Sequence, residues 1–377
     1  MPRVWDVPVH DSTRVRDARV AAEGAAALAG LDRNRTAAAA LVATELATNL
    51  LKHAKGGQLL IETVPPPVLP TGQEATSVVQ IAAIDHGPGM ADVPAALRDG
   101  FSTASTLGAG LGACRRIADD FDLHSVLGRG TVALARIGTT RAGTTRAGGA
   151  RAGGARADSA RGLGHTASPA PVAAAVRAGG VNIPFAGAEF SGDAWAWVRS
   201  GHRTTLMLAD GLGHGPEAAR ASSAAVEALR RSGHLPPAEV LRYMDAELRP
   251  TRGAAVAVAQ LDTETGRLTF SGIGNIGARL RTGEGWRPLL SRPGIVGAHR
   301  PTTIPEHHAT WGADCLLVLH SDGLPSRWTP PADACLASFD PAVIASVTVR
   351  DASSSARPVR DDTAVAVLSP VPPDGTP

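Results

Sequence analysis

The hydrophobic pattern divides the chain into three textures. From Ser12 to Leu28, apolar side chains recur at helical spacing (Val15, Ala18, Ala22, Ala25, Ala26), which predicts a helix. A second helix is expected from about Arg35 to Ala54, capped by Asn34, with Leu41, Leu46, Leu50 and Leu51 on its buried face. Gln58 to Val64 reads as a strand and Pro65 to Glu74 as a proline-rich loop. Val78 to Ile84 is an apolar run of strand length that stops at the turn Asp85-His86-Gly87-Pro88-Gly89. Gly108, Gly110 and Gly112 then lead into a helix-like stretch, Ala113 to Phe121. From Thr139 to Gly180 the periodicity is lost. Arg141, Arg146, Arg151, Arg156 and Arg161 stand five apart, a period of neither helix nor strand, among glycines that oppose a helix. That segment reads as a disordered linker whose root-mean-square span is roughly 35 Å. From Val181 strands and tight turns take over. Leu206 to Ala209 is a buried strand ending in Asp210-Gly211, helices are expected from Pro216 and over Pro237 to Leu248, and AAVAVAQLD, GRLTFSGIGNIGARL, CLLVLHSDGL and DDTAVAVL follow.

Length fits this division. The 377 residues suggest two domains, each able to bury a core, over residues 1–138 and 181–369, with 139–180 as linker and 370–377 as a proline-rich tail. Formal net charge is +2, yet residues 139–180 alone hold six arginines and one aspartate, so neither domain is basic. Nucleic-acid binding is therefore not expected. Cys114, Cys315 and Cys335 are scattered without CxxC spacing, which argues against structural zinc or a disulfide framework. No run reaches the ~20 apolar residues of a membrane helix, and the first residues lack an apolar signal core, so a cytoplasmic protein with no membrane partner is expected.

Candidate chemistry in the first domain begins with the glycines. At a strand-to-helix turn they let backbone amides approach an anionic ligand, and the helix N-terminus adds positive partial charge. Glu45 and Asn49 lie at i and i+4, which puts a carboxylate and an amide on one helix face. In order, ELATNLLKHAKGGQLLIE, DHGPGM, DGFSTASTLGAGLGACRRIADDFD and GRGTVALARI resemble the conserved boxes of the GHKL ATP-binding fold, over most of residues 10–137. That fold is shared by histidine kinases and anti-sigma-factor kinases, and the likeness is to the RsbT type of serine-protein kinase. The resemblance implies an α/β-sandwich ATPase in which Asn49 ligates magnesium, Glu45 is the general base and Asp85 accepts from the adenine amino group. Gly87 and Gly89 would leave room for the ring, Gly108, Gly110 and Gly112 would cradle phosphate, and Thr131 with Gly128 and Gly130 would form the late element near adenine. Phe101 to Leu107 is the expected lid.

In the second domain acidic residues recur at strand ends: Asp193, Asp210, Asp322 and Asp361. Carboxylates gathered in one cleft invite hard divalent cations, and two such ions can activate a water and hold a phosphoryl group. ADGLGHG, FSGIGNIGARL, LHSDGL and DDTAVAVL resemble the metal-dependent serine/threonine phosphatases of the PPM superfamily, in the SpoIIE and RsbX branch, over nearly all of residues 185–368. The resemblance implies an αββα β-sandwich with Asp210, the Gly211 carbonyl, Asp322 and Asp361 as ligands of magnesium or manganese and Asp193 as a nearby carboxylate. Asp362 can exchange roles with Asp361, and Asn275 shapes the cleft or a turn.

Together these readings describe a fused switch enzyme. One domain would transfer the ATP γ-phosphoryl group to Ser or Thr of a protein, and the other would hydrolyse phosphoserine or phosphothreonine. Family resemblance points to a STAS-domain partner, an anti-sigma antagonist or stressosome scaffold, with a downstream phosphatase or a sigma factor as further partners. The alternative is that the ATP-binding domain is a non-catalytic sensor, or a partner- or sigma-factor-binding module, that governs the phosphatase.

Overall fold

The computed structural model describes residues 3–64, 77–97, 110–139, 176–283, 285–325, 328–331, 333–353 and 359–372. The N-terminal part runs β1 (Val4–Val9), α1 (Thr13–Leu28), α2 (Arg33–Ala54), β2 (Gly57–Val64), β3 (Val78–Ile84), α3 (Val93–Ala96), α4 (Gly110–Ile117), β4 (Asp120–Val126) and β5 (Gly130–Ile137). Its strands form one sheet in the order β1-β2-β3-β5-β4. Small residues let the two long helices lie close on that sheet: Ala18, Ala22, Ala25, Ala39, Ala43 and Ala47 are all buried. Leu46 and Leu50 complete the inner stripe, as the pattern predicts, whereas Leu41 is 44% exposed.

Two local expectations are corrected. Asp32, not Asn34, caps α2, accepting a hydrogen bond from the Arg35 amide at 2.8 Å. The helix expected over Ala113 to Phe121 runs instead over Gly110–Ile117, and Asp120 already begins β4. Asp119 ends the helix there by accepting from the Gly138 amide and from Arg35.

The C-terminal part runs β6 (Val176–Ile183), β7 (Asp193–Ser200), β8 (Arg203–Gly211), α5 (Pro216–Ser232), α6 (Pro237–Leu248), β9 (Ala254–Asp262), β10 (Arg267–Ile273), β11 (Gly277–Thr282), β12 (Gly285–Leu289), β13 (His307–Thr310), β14 (Leu316–His320), α7 (Pro341–Ala352) and β15 (Thr363–Pro370). The strands make two five-stranded sheets, β13-β10-β9-β8-β7 and β12-β11-β14-β15-β6. Leu206, Leu208, Phe270, Leu317, Leu319 and Ala366 fill the space between the two sheets. Helices α5 and α6 cover the outer face of the first sheet and α7 that of the second, giving the αββα order. Strand β6 begins at Val176, so five residues assigned to the linker belong to a strand. The rest of that linker, residues 140–175, lies outside the described residues, as does the expected lid.

The two parts are packed together. Helix α7 is buried along its whole length from Pro341 to Arg350, because it lies between the β12-β11-β14-β15-β6 sheet and the free face of the N-terminal sheet. Leu60, Ala82, Ile84, Val132 and Leu134 on that face join one core with Val343, Ile344 and Val347 of α7 and Val181 and Ile183 of β6. A polar row crosses the same face. Gln80 Nε2 donates to Glu62 Oε1 and to the Gly180 carbonyl, both at 2.9 Å, and Arg136 Nε donates to Gln80 Oε1 at 2.9 Å. Arg136 then forms a bidentate pair with Asp340, at 2.7 and 2.8 Å. Asp340 also caps α7 by accepting from the Ala342 amide. A tether that leaves the domains without fixed orientation, as expected from composition, is not what the structure shows.

Candidate functional sites

The N-terminal site is built on the turn that follows β3. Asp85 is buried, and its Oδ1 accepts from the amides of Gly87 (2.8 Å) and Thr131 (3.1 Å). Burial raises the Asp85 pKa, and these two bonds pull it back. The turn is tight on every side. Gly89 has φ +70°, and a Cβ on it would lie 2.2 Å from the Val126 carbonyl oxygen. Gly130 has φ +99° and no room for a side chain beside the Asp85 carbonyl. The last turn of α2 backs the site, with Ala54 occupying the space a Cβ on Gly87 would need. Thr131 Oγ1 and Ser125 Oγ share a hydrogen bond of 2.9 Å, and Ser125 also takes the Met90 amide.

One turn back along α2, Glu45 and Asn49 are half-buried on one face. Among the described residues Asn49 Nδ2 is buried without a hydrogen-bond partner. Glu45 is close enough to Cys114 of α4 for its charge to add to the burial that pushes that thiol up to about 12. Cys114 is thereby an inert core thiol. Gly110 and Gly112 open α4 beside α2, and Gly108 lies outside the described residues.

The second site lies where the two C-terminal sheets end together. Strands β7 and β8 pair Asp193 directly with Asp210. Asp322 follows β14, and Asp361 and Asp362 precede β15, its antiparallel neighbour. Asp193 and Asp210 feel the charge of their acidic neighbours. Burial, then Asp322 and Asp361, push Asp210 up to about 7, and burial with Asp210 raises Asp193 strongly. Asn275 Nδ2 donates to Asp322 Oδ2 at 2.7 Å and also bonds Asp210, bridging the two. Asp193 is 1% exposed, held by Ser321, and its Oδ2 has no hydrogen-bond partner among the described residues.

The two adjacent aspartates are distinguished by their surroundings. Asp362 is buried, and its carboxylate accepts from the amides of Phe185 (2.8 Å) and Gly192 (2.7 Å). Asp361 is exposed and accepts only locally, from the Asp362 amide. Ser321 is a further residue that sequence reading passed over. Its hydroxyl takes the Ala364 amide at 2.9 Å as well as binding Asp193; it lies inside the LHSDGL motif, beside the aspartate that drew the attention.

Among the described residues no three His, Cys, Asp or Glu side chains close on a single ion position. The donor set nevertheless fits hard divalent cations, which take oxygen ligands and keep several waters, needing one or two carboxylates each. The orphaned Asp193 oxygen and the mutually repelling carboxylates are the features such a cation would relieve.

Comparison with known proteins agrees with this division. Residues 9–137 match the family model of the histidine kinase-like ATPase domain, and residues 200–370 match that of Stage II sporulation protein E (SpoIIE). The serine/threonine-protein kinase RsbT of Bacillus subtilis (strain 168) is 41% identical over 88 residues, which are 23% of this chain and 61% of that protein. The chain thus spans about three fifths of that relative's length. Among solved structures, a chain from work on the bacterial stressosome is 28% identical, covering 52% of this chain and 99% of its own, with a TM-score of 0.45. RsbX in complex with magnesium is 18% identical, covering 52% and 95%, with a TM-score of 0.44.

Proposed function

We propose that this chain, whose residues 9–137 match a histidine kinase-like ATPase domain and whose residues 200–370 match SpoIIE, is a bifunctional regulator that adds and removes phosphate on a protein partner. The observation that carries the reading is the carboxylate cluster at the end of a sandwich with the αββα order: Asp193 is paired directly with Asp210, and burial with the neighbouring carboxylates, Asp322 among them, raises the proton affinity of both.

Asp210, Asp322, Asp361 and the Gly211 carbonyl would hold magnesium or manganese. Bound there, such ions supply an activated water and charge stabilisation for the phosphoryl group of a phosphoserine or phosphothreonine. The chain's own residues keep this arrangement in place. Asn275 fixes the spacing of Asp210 and Asp322, Ser321 holds Asp193, and Asp362 anchors the strand end through the Phe185 and Gly192 amides. Asp361 is the ligand of its pair, because the Asp362 carboxylate is already engaged by those two amides.

In the N-terminal domain Asn49 would hold the magnesium of bound ATP and Glu45 would accept the proton of the attacking hydroxyl. Asp85, with Oδ1 engaged by two amides, presents Oδ2 to the adenine amino group. Gly87, Gly89 and Thr131 line the ring's side of the pocket, and Gly108, Gly110 and Gly112 the phosphate side. The partner we infer is a STAS-domain protein of a partner-switching pathway, by similarity to the RsbT kinase.

The test is direct. Full-length protein with manganese or magnesium should release phosphate from a phosphorylated STAS protein, and Asp210→Ala should lower that rate about a hundredfold or more. Glu45→Ala should remove phosphorylation of the same protein while nucleotide binding persists. Undiminished release by Asp210→Ala would sink the phosphatase half, and undiminished phosphorylation by Glu45→Ala the kinase half.

A second reading, in which nucleotide binding governs the phosphatase, is favoured by one observation: the turn carrying Asp85 packs against α7 of the phosphatase domain.

A further inference from the structure

The adenine-side turn touches the C-terminal end of α7. His86, next to Asp85, places Nε2 at 2.8 Å from the Arg350 carbonyl oxygen and 3.1 Å from that of Ser353, at the C-terminal end of α7. Arg350, 2% exposed, reaches back and donates from Nη1 to the Gly130 carbonyl at 3.3 Å. Arg129 pairs with Asp351 at 3.0 Å, and Asp351 in turn holds Arg350 Nε at 2.9 Å. Gly130 is packed on the backbone of Asp85 and His86, so the pocket wall and the helix end share one knot of contacts.

From α7 the contacts continue toward the phosphatase centre. Val359 packs on the same core as Val343, Ile344 and Val347 of the helix. Asp361 and Asp362 follow at once, and Asp362 ties that strand end to Phe185 and Gly192. Gly192 is in turn bonded through its carbonyl to the Gly211 amide at 3.0 Å. Val359 joins Asp361 and Asp362 along the chain itself, and the other links are hydrogen bonds or packed contacts between described residues.

We propose that nucleotide binding in the N-terminal pocket activates the phosphatase centre through the C-terminal turn of α7, with His86 as the positioning residue that transmits it. The inference rests on the proposed reading of the two sites. A ligand that restrains the Asp85–Gly89 turn restrains His86, and through it the end of α7 and the Asp361–Asp362 strand end. An Asp361 carboxylate held in one position binds its cation at less entropic cost, so the effect is an increase in activity.

The experiment uses the full-length chain at a free Mn2+ concentration below half-saturation of the phosphatase, with p-nitrophenyl phosphate as substrate and a non-hydrolysable ATP analogue as effector. Calorimetry under the same conditions gives the analogue's Kd. The phosphatase rate should rise about fivefold, within the usual range of coupling between sites, with its midpoint at that Kd. Amide exchange over residues 359–363 should slow when the analogue is added, a readout independent of turnover. His86→Ala, at an exposed position, should keep the nucleotide-free rate and lose both responses. A chain that binds the analogue and hydrolyses the substrate, yet shows neither response, overturns the inference alone. A His86→Ala protein that still responds fully overturns the route. Absence of analogue binding or of manganese-dependent hydrolysis removes the functional reading itself, and the inference with it.

Discussion

At Gly130 the main chain runs at φ +99°, and a Cβ there would lie 2.0 Å from the Asp85 carbonyl oxygen. No side-chain rotamer relieves a clash with backbone, so Gly130→Ala must displace the turn that carries Asp85. Its expected cost is about 2 kcal/mol or more of stability together with loss of nucleotide affinity, read by thermal unfolding and calorimetry. A variant with unchanged melting temperature and Kd would contradict the assignment of this turn as the pocket wall. The same scale separates Asp361 from Asp362. Sequence could not register the pair, because adjacent aspartates before a strand look alike. What separates them is that the Asp362 carboxylate takes two amides from the loop between β6 and β7, far away in sequence.

At the scale of elements, much was legible and the omissions have physical causes. Strand β3 ends where its apolar run ends, and α6 spans the residues its periodicity indicated. The cap of α2 was misread because Asp32 and Asn34 are both good caps and only backbone geometry selects one. The buried end of the chain's first sheet carried a stronger signal than was used. In β2, β3 and β5 apolar residues occupy both faces, the mark of a sheet covered on both sides. Helices α1 and α2 cover one face, and α7, two hundred residues later, covers the other; no local pattern names that partner. Burial on this second face pushes Glu62 up to about 8 from 4.5, against its bond from Gln80 and the charge of Arg136. Between those values the folded chain holds a proton that the unfolded chain has released, so stability falls as pH rises from about 4.5 to 8 and levels off above. Glu62→Gln should flatten that decline. Denaturant titrations of both proteins at pH 5 and pH 8 should therefore show the variant gaining on the parent as pH rises, and parallel curves would contradict the account.

At the scale of the whole molecule, the layers run α1 and α2, first sheet, α7, second sheet, third sheet, α5 and α6. The two sites are thus parts of one body, joined by a shared apolar core and the buried Arg136–Asp340 pair as well as by the segment between them. If a protease site is introduced within residues 140–175 and cut, the two fragments should still elute together in gel filtration at physiological salt. Separation into two peaks would show that the core around α7 does not hold the halves. No helix among the described residues is long and apolar enough to cross a membrane.

The account stands or falls on whether the acidic ends of β7, β8, β14 and β15 form a metal centre. Crystals of the full-length protein grown with manganese and measured at the manganese absorption edge address this without any substrate. Anomalous density should appear within coordination distance of the Asp210, Asp322 and Asp361 carboxylates and the Gly211 carbonyl, and Asp210→Ala should lose it. Anomalous density confined to other parts of the molecule, with these carboxylates left unoccupied at saturating manganese, would contradict the central claim.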